Sequence, residues 1–159
     1  MKMKLFFGCA AIASMLSAAP AMAETDSGTL NVTATVAESC TVGDADLEFG
    51  AYDGLAQTAV DGATVVAVHC TNDTPYKLFS STSVVSRKMD DGSSNYLTYK
   101  LFTDSGRGTQ LGTDATADNI SGTGDGDSND IDIFATIDAG QNAVPGNYAQ
   151  ATADITVDF

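Results

Sequence analysis

An all-β sandwich or barrel is the fold class this sequence predicts, and three observations carry the prediction. Helical periodicity is hard to find after residue 23. Alternating apolar and polar runs recur instead between clusters of Gly, Asp and Ser, the pattern of short strands with one wet face. The only cysteines beyond that point are Cys40 and Cys70.

The elements follow in chain order. Residues 1–23 combine Lys2 and Lys4, an apolar run over 5–16 and the small-residue site Ala21-Met22-Ala23. That composition predicts an export signal cut after Ala23. Too few apolar residues precede Cys9 for a usual lipoprotein signal. No later apolar run approaches the roughly 20 residues that span a bilayer, so the released chain is expected to be soluble, without membrane insertion. Export also sends Cys40 and Cys70 to an oxidising compartment, where pairing is expected.

Strands are predicted over 29–36, 39–42, 46–49, 63–70, 76–80, 95–103, 130–137 and 148–159 by period-two alternation. In the first, Leu30, Val32, Ala34 and Val36 share a face against Asn31, Thr33 and Thr35. In 95–103, Leu97, Tyr99 and Leu101 oppose Thr98 and Lys100. In 130–137, Ile131, Ile133, Ala135 and Ile137 oppose Asp132, Phe134 and Thr136. The last strand sets Ala149, Ala151, Ala153, Ile155, Val157 and Phe159 on one side and is expected to leave an apolar edge. Between them, residues 113–130 are rich in Gly, Asp, Ser and Thr and are expected to form one long exposed loop. There is no tandem repeat and no linker dividing the chain.

Charge excludes several functions. Without Lys2 and Lys4 the formal charge moves from -14 to about -16, a field that repels nucleic-acid phosphates and anionic membranes. Catalysis lacks its parts: His69 is the one imidazole and alternation turns it away from Val66, Val68 and Cys70, so no Ser or Cys nucleophile gains a base. No enzyme activity and no cofactor are expected. Asp125, Asp127 and Asn129 have the one, three, five spacing of a calcium loop, but Asp130 occupies the turn-Gly position and Thr136 that of the bidentate Glu. The fit to a calcium site is therefore weak. Three glycosylation acceptor patterns, at Asn31, Asn72 and Asn119, are short enough to arise by chance.

The order of several stretches resembles the spore coat U domain family, whose members include biofilm-type pilins of the archaic chaperone–usher pathway. The alternating N-terminal strand runs into "ESCTV"; then come "LEFGAY", "VVAVHC", "SRKM", "YLTYKLFTD", "IDAGQNAVPGNY" and "ITVDF". Leu111-Gly112 stands where relatives often carry Trp-Gly, and Gln150 where an Asp is common. The resemblance implies an incomplete immunoglobulin-like β-sandwich completed by a donor strand from a neighbouring subunit. On that reading residues 24–37 are the donor segment and 38–159 the pilin domain. Leu30, Val32, Ala34 and Val36 plug a neighbour, while Ile155, Val157 and Phe159 line the acceptor side and pair first with a chaperone.

The implied role is a structural subunit of a surface pilus, passing through the periplasm and supporting adhesion and biofilm formation. Its partners are a periplasmic chaperone, an outer-membrane usher and further copies or related pilins. Three alternatives stay open: a monomeric module binding calcium or carbohydrate through 113–130, a coat protein with the same fold, and a self-complete sandwich whose N-terminal strand folds back.

Overall fold

The computed structural model describes residues 22–81, 87–114, 118–150 and 153–159. The chain separates into two units, Met1–Thr35 and Val36–Phe159. In the first, residues 22–35 hold neither helix nor strand and are exposed. The strand predicted over 29–36 is thus not formed in the lone chain, because alternation supplies a face but a strand also needs a hydrogen-bonded neighbour. No helix among the described residues is long and apolar enough to cross a membrane.

The second unit is all-β. Its strands are β1 (Cys40–Val42), β2 (Val60–Cys70), β3 (Pro75–Ser80), β4 (Lys88–Asp90), β5 (Tyr96–Thr98), β6 (Lys100–Phe102), β7 (Ile120–Thr123), β8 (Ser128–Ile137) and β9 (Ile155–Asp158). They form a four-stranded sheet ordered β1-β2-β8-β6, a three-stranded sheet ordered β7-β3-β9 and a β4-β5 ribbon. Every pairing is antiparallel.

The two larger sheets share one core. From the first come Val66, Val68, Leu101, Ile133, Ala135 and Ile137; from the second, Tyr76 and Leu78. Alternation places them as the sequence predicts: Val66, Val68 and Cys70 are buried while His69 is exposed. The backbone spine is the β2–β8 ladder, which runs from Val60 opposite Ile137 to His69 opposite Ser128. Leu111 is fully buried in the core. Beside it, the buried Arg87 donates from one guanidinium nitrogen to the Leu111 carbonyl at 2.9 Å. Burial lowers the pKa of Arg87 and raises that of Tyr99.

Other sequence expectations need correction too. The stretch 95–103 is two strands, because Tyr99 N–H donates to the Arg87 carbonyl as the chain leaves β4 for β8. The stretch 113–130 is not one long loop, since β7 pairs with β3 and β8 begins at Ser128. Gly122 makes that pairing possible: it lies opposite Tyr76, and a Cβ there would collide with the Tyr76 ring. The last strand is shorter than 148–159. Ala149 bridges to Asp90 of β4, whereas β9 pairs with β3 from Ile155, so the chain changes neighbours in between; Ala151 lies outside the described residues.

Gly124 carries a tighter constraint. A Cβ there would meet the Thr71 carbonyl oxygen and, at 2.6 Å, the Cys70 Cβ, neither of which is a flexible side-chain end. Gly124→Ala is expected to cost about 1–3 kcal/mol, read as a lower urea midpoint; an unchanged midpoint contradicts this packing.

Candidate functional site

The two larger sheets end in short strands on one side of the core, β1 in one and β9 in the other. β9 has β3 as its one hydrogen-bonded strand neighbour among the described residues, and β1 lies close to it. A cavity of about 600 Å³ is walled by the stretch from Val42 to Phe49 on one side and by Tyr148, Ala153 and Ile155 on the other. Its floor is made of Val66, Tyr99, Leu101 and Ile133, side chains that are otherwise buried.

A second cavity of about 800 Å³ adjoins it, sharing Leu47, Phe49, Met89 and Tyr148 and reaching Leu55 and Val144. Together they form a groove with an apolar bottom. The wall containing residues 46–49 was expected to be a strand. Leu47 and Phe49 keep the alternation by turning half-buried toward the core while Glu48 is exposed, but among the described residues the segment has no ladder partner. Its anchors are a hydrogen bond from Thr64 Oγ1 to the Asp46 carbonyl at 2.7 Å and the tilted contact of Phe49 with Tyr99 at 5.8 Å.

Polar latches fix the far end. Tyr52 Oη accepts from Gln141 N–H at 2.8 Å and donates to the Asp138 carbonyl at 3.1 Å. Gln141 clasps Thr98, accepting its N–H and donating to its carbonyl, both at 2.8 Å. Gly140 precedes it at φ 74°, a left-handed value that suits glycine. The Gln of "IDAGQNAVPGNY" therefore orients a groove wall.

Cys40 and Cys70 are joined by a disulfide at directly opposed positions of β1 and β2. It ties the three-residue β1 to the sheet just before the Val42 wall begins. Ahead of it Leu30, Val32 and Val36 are 85%, 80% and 86% exposed, and Ala34 is exposed as well. Of the residues expected on the acceptor side, Ile155 lines the cavity. Val157 packs partly against the core opposite Leu78, and Phe159 is 54% exposed at the end of β9. The floor residues and the Leu47, Phe49 wall were missed by sequence reasoning. Their signal was "LEFGAY", where two apolar side chains alternate with no strand to pair with.

Other candidates resolve differently. Asp125 Oδ1 accepts from Asp127 N–H and from Asn129 Nδ2, both at 2.9 Å, so this turn satisfies its polar groups internally. Among the described residues no group of three or more His, Cys, Asp or Glu is placed to hold a metal ion. His69 Nε2 lies 3.1 Å from the Gly126 carbonyl on the exposed face.

These turns have a pH consequence. Hydrogen bonds first from Asp127 N–H and then from Asn129 hold the Asp125 carboxyl below its ordinary range. Thr109 and Gly108 N–H groups do the same for Asp104, and Asn95 and Ser93 for Asp91. Folded values below unfolded ones mean stabilisation that is full above the ordinary Asp pKa of about 3.9 and is lost as pH falls through the folded values. Asp104→Asn is expected to shrink the fall in melting temperature on acidification below about pH 4; a fall equal to the parent's contradicts it.

No functionally curated protein matches the chain. Among solved structures, one similar chain comes from the "chaperone-tip adhesion subunit pre-assembly complex", CsuC–CsuE, of the archaic chaperone–usher Csu pili of Acinetobacter baumannii. Identity is 20%, the TM-score is 0.43, and the match covers 78% of this chain but 40% of that one. The profile described as Spore Coat Protein U domain matches residues 26–155. With that match across most of its 159 residues, the chain belongs to the spore coat protein U domain family.

Proposed function

We propose that this protein is a structural subunit of a surface pilus assembled by the chaperone–usher route through donor-strand exchange, supporting adhesion and biofilm formation. The observation that carries the reading is the groove itself: an edge strand, β9, beside an opening floored by Val66, Leu101 and Ile133. An extended strand with apolar residues at alternate positions fits such an opening, its backbone completing the sheet and its side chains filling the pockets. The chain carries a segment of that kind in Leu30, Val32, Ala34 and Val36, and these are exposed.

Burying those four side chains in another copy stabilises the contact by roughly 5 to 8 kcal/mol of apolar transfer, before main-chain hydrogen bonds. The contact joins the front of one copy to the back of the next, so it does not close on itself and propagates into a fibre. In transit a periplasmic chaperone occupies the groove, and an outer-membrane usher delivers the subunit to the cell surface. Size-exclusion chromatography of the chain beginning at Glu24 is the test. Polymers, or a requirement for a chaperone to stay soluble, are expected; a stable lone monomer refutes the reading.

A further inference from the structure

The segment proposed to enter another copy is tied to its own body at close range. Among the described residues Ser39 is the first in chain order to make a hydrogen bond: its N–H donates to Thr71 Oγ1 at 3.1 Å, and its carbonyl accepts from Thr71 N–H at 2.9 Å. Cys40 follows, joined to Cys70. Val36, 86% exposed, therefore stands three residues from a fixed point, and a fully extended chain covers about 10 Å in that distance. The end from which the chain leaves is acidic. Glu38 precedes Ser39, and two turns are hydrogen-bonded side by side next to the disulfide, with Asp73 N–H donating to the Gly124 carbonyl at 2.8 Å and Gly126 N–H to the Cys70 carbonyl at 3.2 Å. These turns expose Asp73, Asp125 and Asp127. The nearest bases along the adjoining strands are His69 in β2 and Lys77 in β3, so four carboxylates stand against one lysine and one imidazole. The groove is acidic too. Asp44, Asp46 and Glu48 lie in one wall and Asp154 in the other, all of them exposed, and no Lys, Arg or His is among the described residues lining it.

Resting on the reading that Val36 enters another copy's groove, we infer that each joining step brings two acidic faces, one from each copy, together across a spacer of at most about 10 Å, and that their repulsion makes the surrounding salt a control on assembly. Charges that close repel through a screening length of about 30 Å at about 0.01 M salt, but hardly at all when that length shrinks to about 3 Å at about 1 M. Each copy carries about -16 formal charge beyond the signal segment, which raises the barrier to encounter further. Low ionic strength thus holds copies apart, and cations admit them.

The experiment follows light scattering by the chain from Glu24, its disulfide intact, diluted from urea into about 10 mM or about 300 mM sodium chloride, with circular dichroism to verify folding in both. Polymers are expected to form roughly ten-fold faster at the higher salt. Glu38→Gln, Asp73→Asn and Asp127→Asn together neutralise one face without touching the groove. Asn suits the left-handed φ of 60° at position 73, and Asp125 is left in place because it accepts the hydrogen bonds of its turn. In this variant the ratio is expected to fall below about two-fold, because polymerisation at low salt speeds up. A parent rate independent of salt overturns the inference and leaves the groove reading standing. A roughly ten-fold ratio that survives the three substitutions overturns the assignment to this face. If neither parent nor variant forms polymers at either salt, the groove reading falls and the inference with it.

Discussion

Leu30→Asp together with Val32→Asp is expected to leave the protein unable to form heat-resistant polymers. Both side chains are exposed in the lone chain, at 85% and 80%, so the substitutions cost the subunit's own fold almost nothing. On the proposed donor reading these positions would enter a neighbour's groove, floored by Val66, Leu101 and Ile133, and two carboxylates there would be desolvated without partners. Each such burial costs several kcal/mol, comparable with the whole gain of roughly 5 to 8 kcal/mol from the apolar strand. Ladders on gels of unheated samples are the readout, with circular dichroism to verify the fold. Ladders that persist in the double variant refute the donor role of these residues.

The second large effect concerns Cys40 and Cys70. Their bond closes a loop of 30 residues, which in the chain-entropy view contributes roughly 3 to 4 kcal/mol. β1 is three residues long, and besides the bond its ladder with β2, the Gly43 N–H to the Ala67 carbonyl and the packing of Val42 on the core hold the start of the wall. Cys40→Ser with Cys70→Ser is expected to lower the unfolding free energy by about that amount, and to loosen the groove wall ahead of global unfolding, seen as faster amide exchange at 40–49. A loss below about 1 kcal/mol contradicts the role given to the bond.

Much of this fold is legible in the sequence, because alternation reports burial directly. β2, β3 and β8 follow their patterns, and the inward sets Val66, Val68, Cys70 and Ile133, Ala135, Ile137 are buried. What alternation does not report is which strand lies alongside. Residues 95–103 alternate throughout yet switch sheets at Tyr99. Residues 29–36 and 46–49 alternate yet form no ladder among the described residues. β4 and β7 have too few residues for a pattern to register, and β7 depends on Gly122 admitting the Tyr76 ring. Of the residues expected on the acceptor side, Ile155 lines the cavity, whereas the cavity's floor consists of residues that read as ordinary core and are buried.

The central claim is that the segment holding Leu30 and Val32 fills the groove of another copy. A photo-reactive residue at Val32, in polymers formed from mixed light and heavy isotope-labelled chains, tests it most directly. Mass spectrometry is expected to find light-to-heavy links from position 32 to the groove, at Leu47, Phe49, Ile133 or Ile155. Links confined within single chains, or landing on the outer faces of the sheets, contradict the claim.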